Sequence, residues 1–180
     1  QEIDDTQKWA EAHNWDGVTH WSRYIKRLPG LMGPNALPIP QVRDAVVGDI
    51  YIADFAGESH FSPNEIAYNP YFSLFFPVVK NKVAIEFITR PFEYYETTEE
   101  LRFERYARDF SCNGYSKGDV YVGTLFQIIN QEKHSIDGTF RMMLKTTTGK
   151  NLANARHIDA PAYHFDFNLG KKFLFDNSIL

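Results

Sequence analysis

From Gly48 onward the chain alternates apolar and polar residues with a period of two, segment after segment. That spacing marks strands, because successive side chains of an extended chain point to opposite faces. Gly48 to Phe55 reads as a first strand, with Tyr51, Ala53 and Phe55 on one face. A second, from about Ala67 to Val79, sets Phe72, Leu74, Phe76 and Val78 together, although Pro70 and Pro77 each remove a ladder donor. After the polar turn Lys80-Asn81-Lys82, a third strand runs from Val83 to about Tyr95. It places Ala84, Glu86, Ile88 and Arg90 opposite Val83, Ile85, Phe87 and Thr89. Gly118 to Ile129 is a fourth. In the fifth, Phe140, Met142 and Leu144 alternate with Arg141, Met143 and Lys145. In the sixth, Tyr163, Phe165, Phe167 and Leu169 alternate with His164, Asp166, Asn168 and Gly170. A seventh apolar segment opens at Phe173. The expected class is all-β, an antiparallel up-and-down sheet spanning residues 48–180.

Two stretches break the period. Residues 1–47 form a Trp- and Pro-rich leader, in which Asp5 or Thr6 caps a short helix carrying Trp9, Ala10 and His13. Between Leu28 and Pro40 lie four prolines and two glycines, which forbid a regular helix or a central strand. This segment is too apolar for a solvated linker, so it is expected to pack on or in the sheet as irregular chain. In Thr97 to Phe110, Thr97 and Glu100 have capping-box spacing, and Phe103, Ala107 and Phe110 recur at helical intervals. A short helix within a long loop is expected there.

The mid-strand charges decide which solvent suits such a sheet. Glu86 and Arg90 share a face, as do Arg141 and Lys145, and His164 and Asp166. In a soluble barrel that face is normally the core, where each unpaired charge costs several kcal/mol, unless the charged face is turned outward to water. In a transmembrane β-barrel the polar face lines the interior and the apolar face meets lipid. On this reading Glu86, Arg90, Arg141, Lys145, His164 and Asp166 face the lumen. Phe140, Met142, Leu144, Tyr163, Phe165, Phe167 and Leu169 face lipid, and Tyr95 and Tyr163 sit at the membrane boundary. The 15 Phe, 10 Tyr and 3 Trp suit aromatic girdles. Connections are short after the second, fourth and sixth strands, long after the third and fifth, and intermediate (Gly57 to Asn64) after the first. Outer-membrane barrels alternate short periplasmic turns with longer extracellular loops. The formal charge of −4 gives no electrostatic case for nucleic acid. No run approaches the roughly 20 apolar residues of a spanning helix, which leaves strands as the way across a bilayer.

Several motifs carry a resemblance. Gly118-Asp119-Val120-Tyr121-Val122-Gly123-Thr124, Leu144-Lys145-Thr146-Thr147-Thr148-Gly149 and Ala160-Pro161-Ala162-Tyr163-His164-Phe165-Asp166 resemble the barrel strands of uncharacterised outer-membrane proteins of Bacteroidetes-type Gram-negative bacteria. Trp15-Asp16-Gly17 and Pro29-Gly30-Leu31-Met32-Gly33-Pro34-Asn35-Ala36-Leu37-Pro38 are similar to the leader of that group. The resemblance covers most of the chain. It implies an outer-membrane location and contact with lipid, lipopolysaccharide and other outer-membrane proteins, and it supplies no catalytic residues.

The expected function is therefore non-enzymatic: a small channel, or a structural subunit of a cell-envelope complex. The alternatives are an outer-membrane lipid-modifying hydrolase and a secreted soluble β-barrel that binds an apolar ligand. Glu58-Ser59-His60 is the candidate hydrolase cluster, but strand alternation would point Ser59 away from the other two. His13, Asp16 and His20 fit no closed metal site, and the single cysteine, Cys112, gives neither disulfide nor redox motif, so no metal or cofactor is expected. Arg102, Arg105 and Arg108 are a candidate lipopolysaccharide patch, interspersed with Glu99, Glu100 and Glu104 that would self-pair along the helix. Six or seven strands fall short of the eight of the smallest barrels, and the last segment is brief. Residues 1–180 are thus expected not to form a closed barrel alone: either they are an incomplete stretch of one, or closure needs another chain, or the soluble alternative holds.

Overall fold

In the computed structural model, which describes residues 5–37, 40–175 and 178–179, the alternating segments form one antiparallel sheet. Its strands are β1 (Ile52–Ser62), β2 (Glu65–Val79), β3 (Val83–Thr89), β4 (Phe92–Thr97), β5 (Asn113–Lys117), β6 (Val120–Ile129), β7 (Asp137–Lys145) and β8 (Ala162–Gly170). The order is β5-β4-β2-β3-β6-β7-β8, with β1 on the free edge of β2. β3 and β4 share one edge of β2: Phe72–Val79 pairs with β3, and Glu65–Tyr68 with β4. They act as one long strand interrupted at Arg90-Pro91. β5 and β6 likewise form one strand interrupted at Gly118-Asp119, pairing with β4 and β3 in turn. A Cβ on Gly118 would sit 1.8 Å from the Arg90 carbonyl oxygen, so the two interruptions lie against each other and only glycine fits between them. The result is an up-and-down meander of all-β class.

The prolines of β2 fall where its ladder to β3 and β4 is interrupted. Pro70 lies opposite the gap between β3 and β4, and Pro77 adjoins a register shift against β3. Several expected boundaries move. β1 starts later and runs through Gly57 to Ser62, so the expected intermediate loop is strand; only Pro63-Asn64 turns the chain, with Asn64 at φ 66°. Thr98, not Thr97, caps α2 (Glu99–Glu104), accepting from the Leu101 N–H. α1 (Asp5–His13) forms as expected, whereas β5 and α3 (Gln131–His134) were not signalled by periodicity. Asp137-Gly138, expected in a polar connection, opens β7. Among the described residues the seventh segment carries a two-residue pair, β9 (Leu174–Phe175) with β10 (Ser178–Ile179). Pro38 and Ile39 of the proline-rich stretch, and residues 1–4, lie outside the described residues.

The register sorts the connections. The Lys80-Asn81-Lys82 turn, α3 and Lys171-Lys172 share one end, where Gln131 and Lys172 exchange two 2.7 Å hydrogen bonds. α2 and the 146–161 loop share the other, joined by Arg108 N–H to Ala153 carbonyl at 2.6 Å. The sheet is not closed: among the described residues, β1 and β8 carry no ladder to one another.

The leader lies on one face of this sheet. Ile25, Met32 and Ala36 bury against Ala155, and Val47 against Phe75, Ala84 and Leu125. The opposite face is open, and Phe55, Phe61, Phe92, Tyr163 and Phe165 are each more than half exposed.

Candidate functional site

The covered face of the sheet is filled by charge. Its first cluster joins four elements. Glu65 opens β2, Glu93 lies in β4, Arg105 follows α2, and Arg156 descends from the loop between β7 and β8. Arg105 grips Glu65 with two hydrogen bonds of 2.9 and 2.7 Å. Arg156, fully buried, pairs with both Glu65 and Glu93, and its guanidinium lies 4.4 Å from the Tyr95 ring centre. Gly33 makes room for it, since a Cβ there would stand 2.6 Å from Arg156 Cζ. Asn35 of the leader donates to Glu93 and, at 3.0 Å, to Asn69. Asn69 donates onward to Glu58 at 2.6 Å, and Arg90 clasps Glu58 at 2.6 and 2.9 Å.

A second cluster centres on Glu86, fully buried in β3. It accepts from Arg141 at 3.1 Å and from Arg43 of the leader at 2.9 Å. Arg141 also binds Asp166 at 2.6 Å and the Gln41 carbonyl at 2.8 Å. In the third cluster, Lys145 meets Asp119 at 2.7 Å and donates to the carbonyls of Thr146, Ile158 and Ala160. The Gly149 N–H closes on Asp119 at 2.6 Å. His157, in the loop above, is buried 3.8 Å from Asp119; burial holds its pKa below the usual imidazole value despite Glu93 and Asp119. Glu65, Glu86, Glu93 and Asp119 thus meet Arg105, Arg141, Arg156 and Lys145, all buried. Pairing is what makes this interior tolerable, because a single uncompensated buried charge costs several kcal/mol.

The residues singled out from sequence divide between the two faces. Glu86, Arg141 and Lys145 are buried, Arg90, His164 and Asp166 partly so, all on the leader-covered face, and one ion-pair cluster holds Glu86, Arg141 and Asp166 together. Met142, Leu144, Tyr163, Phe165, Phe167 and Leu169 are exposed on the other face, with Phe140 half-buried beside Phe165, their rings stacked at 6.4 Å. Tyr95, expected at the sheet's apolar boundary, is instead only 2% exposed, inside the first cluster. The reason is the Arg90-Pro91 interruption: even-numbered residues face inward in β3, odd-numbered ones in β4. Glu93 was missed for the same reason. Arg156 carried no signal, since it stands in an irregular loop 91 residues from Glu65.

The candidate catalytic and metal residues are not brought together. Glu58 and His60 share the inner face, and Ser59 is exposed opposite Tyr68 on the other. Glu58 is committed to Arg90. His13 stacks on Tyr106 at 4.0 Å, Asp16 binds Val18 and Thr19, and His20 binds Ser22. Among the described residues no group of three or more His, Cys, Asp or Glu side chains is placed to hold a metal. Nor do the three arginines of the 97–110 segment form a patch. Arg105 is buried on Glu65, Arg102 lies over Phe110 and Arg108 over Trp9. No protein-family model, curated protein or solved structure matches the chain.

Proposed function

We propose that this chain is part of an outer-membrane β-barrel, with its Phe-rich face in lipid and its polar face plugged by the leader. Its role is structural, within a cell-envelope complex, rather than catalytic or conductive. One observation carries the reading: the two faces are solvated in the opposite sense to a water-soluble sheet. The largest fully buried side chains include Arg141, Arg156, Lys145, Glu86 and Glu93, while Phe55, Phe61, Phe165 and Phe167 are exposed. In water an apolar face of this extent is a liability, and soluble monomers rarely carry one. In hydrocarbon it is the required surface.

The filled interior favours a structural subunit over a channel. Arg43, Gln41 and Asn35 of the leader and Arg156 of the 146–161 loop occupy the space between the strands' charges, and small barrels are filled in this way. The soluble apolar-ligand reading needs a mainly apolar interior, whereas the covered face buries Glu86, Glu93, Arg141, Arg156 and Lys145; the hydrolase reading needs Ser59 beside an imidazole, whereas β1 points Ser59 to the face opposite Glu58 and His60. In lipid the edges of β1 and β8 need partners, because unpaired N–H and C=O groups cost several kcal/mol each there. Those partners are further strands, of the same barrel or of a neighbouring outer-membrane protein. The long-loop end, with α2, faces outward toward lipopolysaccharide.

Spin labels placed singly from Tyr163 to Leu169 in vesicle-reconstituted protein test this. Oxygen accessibility should peak at 163, 165, 167 and 169, and polar-reagent accessibility should stay low throughout that set. A protein that stays monodisperse without detergent, with labels at 165 and 167 fully accessible to the polar reagent, refutes it.

A further inference from the structure

The open gap in the sheet has a defined lining. At the short-turn end, one cavity of about 480 Å³ touches both Ile52, the first residue of β1, and Gly170, the last of β8. No ladder closes the space between these strands among the described residues. The leader crosses it instead: a Cβ on Gly170 would lie 2.8 Å from the Ala45 Cβ. The deep wall of the cavity is apolar, built from Phe75 and Leu125, and Ile50 and Ile52 stand exposed at its mouth. Its rim is basic. Lys171 and Lys172 are exposed there, neither in an ion pair among the described residues. Lys172 is held by its backbone, which exchanges hydrogen bonds with the Gln131 side chain, so its ammonium is left available. Arg43 also lines the cavity but is committed to Glu86. Of the acids present, Asp137 is buried and caps the Gln131 N–H at 2.8 Å, which leaves Asp44 facing two lysines.

A cleft of this size is in the range that holds small ligands, and this one joins an apolar floor to a cationic rim and opens sideways between strands. We propose that it binds one acyl chain of an anionic phospholipid, with the phosphate on Lys171 and Lys172. The orientation of the site rests on the lipid-facing reading above, and its chemistry does not. An acyl chain enters laterally because, among the described residues, no strand pairing bars the gap, and it lies on Phe75, Leu125 and Ile52. The phosphate stays at the turn, where two lysines outnumber Asp44. This lipid covers apolar surface that the leader leaves uncovered at the short-turn end.

The test uses the full chain in neutral detergent, monitored by native mass spectrometry and titrated with dioctanoyl-phosphatidylglycerol, dioctanoyl-phosphatidylcholine and inorganic phosphate separately. The expected result is one phosphatidylglycerol per chain, phosphatidylcholine about tenfold weaker, and no retained phosphate. The Lys171→Gln/Lys172→Gln variant should lose that about tenfold preference and keep weak binding of both lipids. Ile52→Trp, a change at an exposed position, fills the mouth and should weaken both lipids alike. Equal phosphatidylglycerol affinity in the double lysine variant, binding unaffected by Ile52→Trp, or phosphate binding as tight as the lipid overturns the proposal. So does a dimer that takes up no lipid, which would mean that a second copy covers the cleft. The measurement is independent of the spin-label pattern on β8, so the cleft and the lipid-facing sheet can fail separately.

Discussion

Replacing Arg156 by leucine tests whether the interior is dry. Its guanidinium is fully buried, pairs with Glu93 and Glu65, and lies 4.4 Å from the Tyr95 ring centre. In Arg156→Leu, Glu65 keeps both hydrogen bonds from Arg105, so it remains compensated. Among the described residues Glu93 then keeps the neutral Asn35 amide as its hydrogen-bond partner and becomes a buried, unneutralised carboxylate. Removing one partner of a buried pair costs about 3–5 kcal/mol, and the retained Asn35 contact places this case near the lower end. The companion Arg156→Leu/Glu93→Leu removes the stranded charge as well and should recover about 1–3 kcal/mol of the loss. A surface control, Lys8→Met, breaks a 3.4 Å pair with Asp5 in which both side chains are more than half exposed, and should cost less than about 1 kcal/mol. Urea unfolding in vesicles followed by tryptophan fluorescence suits the measurement, because Trp9, Trp15 and Trp21 all lie in the leader and report its undocking. A loss below about 1 kcal/mol for Arg156→Leu would mean that water reaches Glu93. The interior would then be a wet path rather than a plug, and the conductive reading would displace the structural one.

Phe165→Arg should cost about 2–4 kcal/mol in the same assay if the site is near mid-bilayer, and less than about 0.5 kcal/mol if that face stands in water. Gly33→Ala should cost about 1–3 kcal/mol, because its Cβ would meet Arg156 Cζ at 2.6 Å and the guanidinium is pinned by two carboxylates; unchanged stability would show that Arg156 has another place to lie. Stability should also fall on acidification through the window below the imidazole reference value of about 6.5. Burial lowers the His157 pKa, so in that window the unfolded chain binds more protons than the folded one. This contribution is fully present above the reference value and lost as pH falls through the window; His157→Asn should flatten that part of the profile, and an unaltered slope would place its origin elsewhere.

How much the sequence revealed depends on where alternation stays in phase. β3, β7 and β8 keep one phase, as does β6 up to the register shift between Gln127 and Ile129, and their alternation sets Glu86, Arg141 and Lys145 on one face of the sheet and Phe165 on the other. The third strand loses phase at Arg90-Pro91, which turns Glu93 and Tyr95 inward against the extrapolated pattern. β1 was cut short because Gly57, Glu58, Ser59 and His60 carry few apolar side chains; as an edge strand it has one neighbour and little to bury. β5 has five residues and a single large outward side chain, Tyr115, too few for a period. The interior pairs were illegible for a different reason. Glu65 with Arg156 and Glu86 with Arg141 are 91 and 55 residues apart, and local spacing says nothing about which charges meet across a folded sheet.

The proline-rich leader shows why an irregular segment suits a polar face better than another strand does. A strand would spend its carbonyls on a ladder, leaving the donors of the sheet's inner face to find side-chain acceptors. The leader's backbone carbonyls are free of such pairing and go to those donors directly: Gln41 to Arg141 at 2.8 Å, Asp44 to Thr139 at 3.0 Å and Ala45 to Gln127 at 3.0 Å. The Val47 N–H returns a bond to Gln127 at 2.7 Å. Arg43 supplies the cation that Glu86 needs beyond Arg141, and Asn35 the amide that Glu93 needs beyond Arg156. The prolines that forbid a strand also lower the entropy lost when this stretch is fixed, since each has its φ set in advance. The same side chains bind the leader to the sheet and neutralise its interior. Weakening the leader therefore exposes charge that only water could then compensate, and the leader and the face it covers hold or fail together.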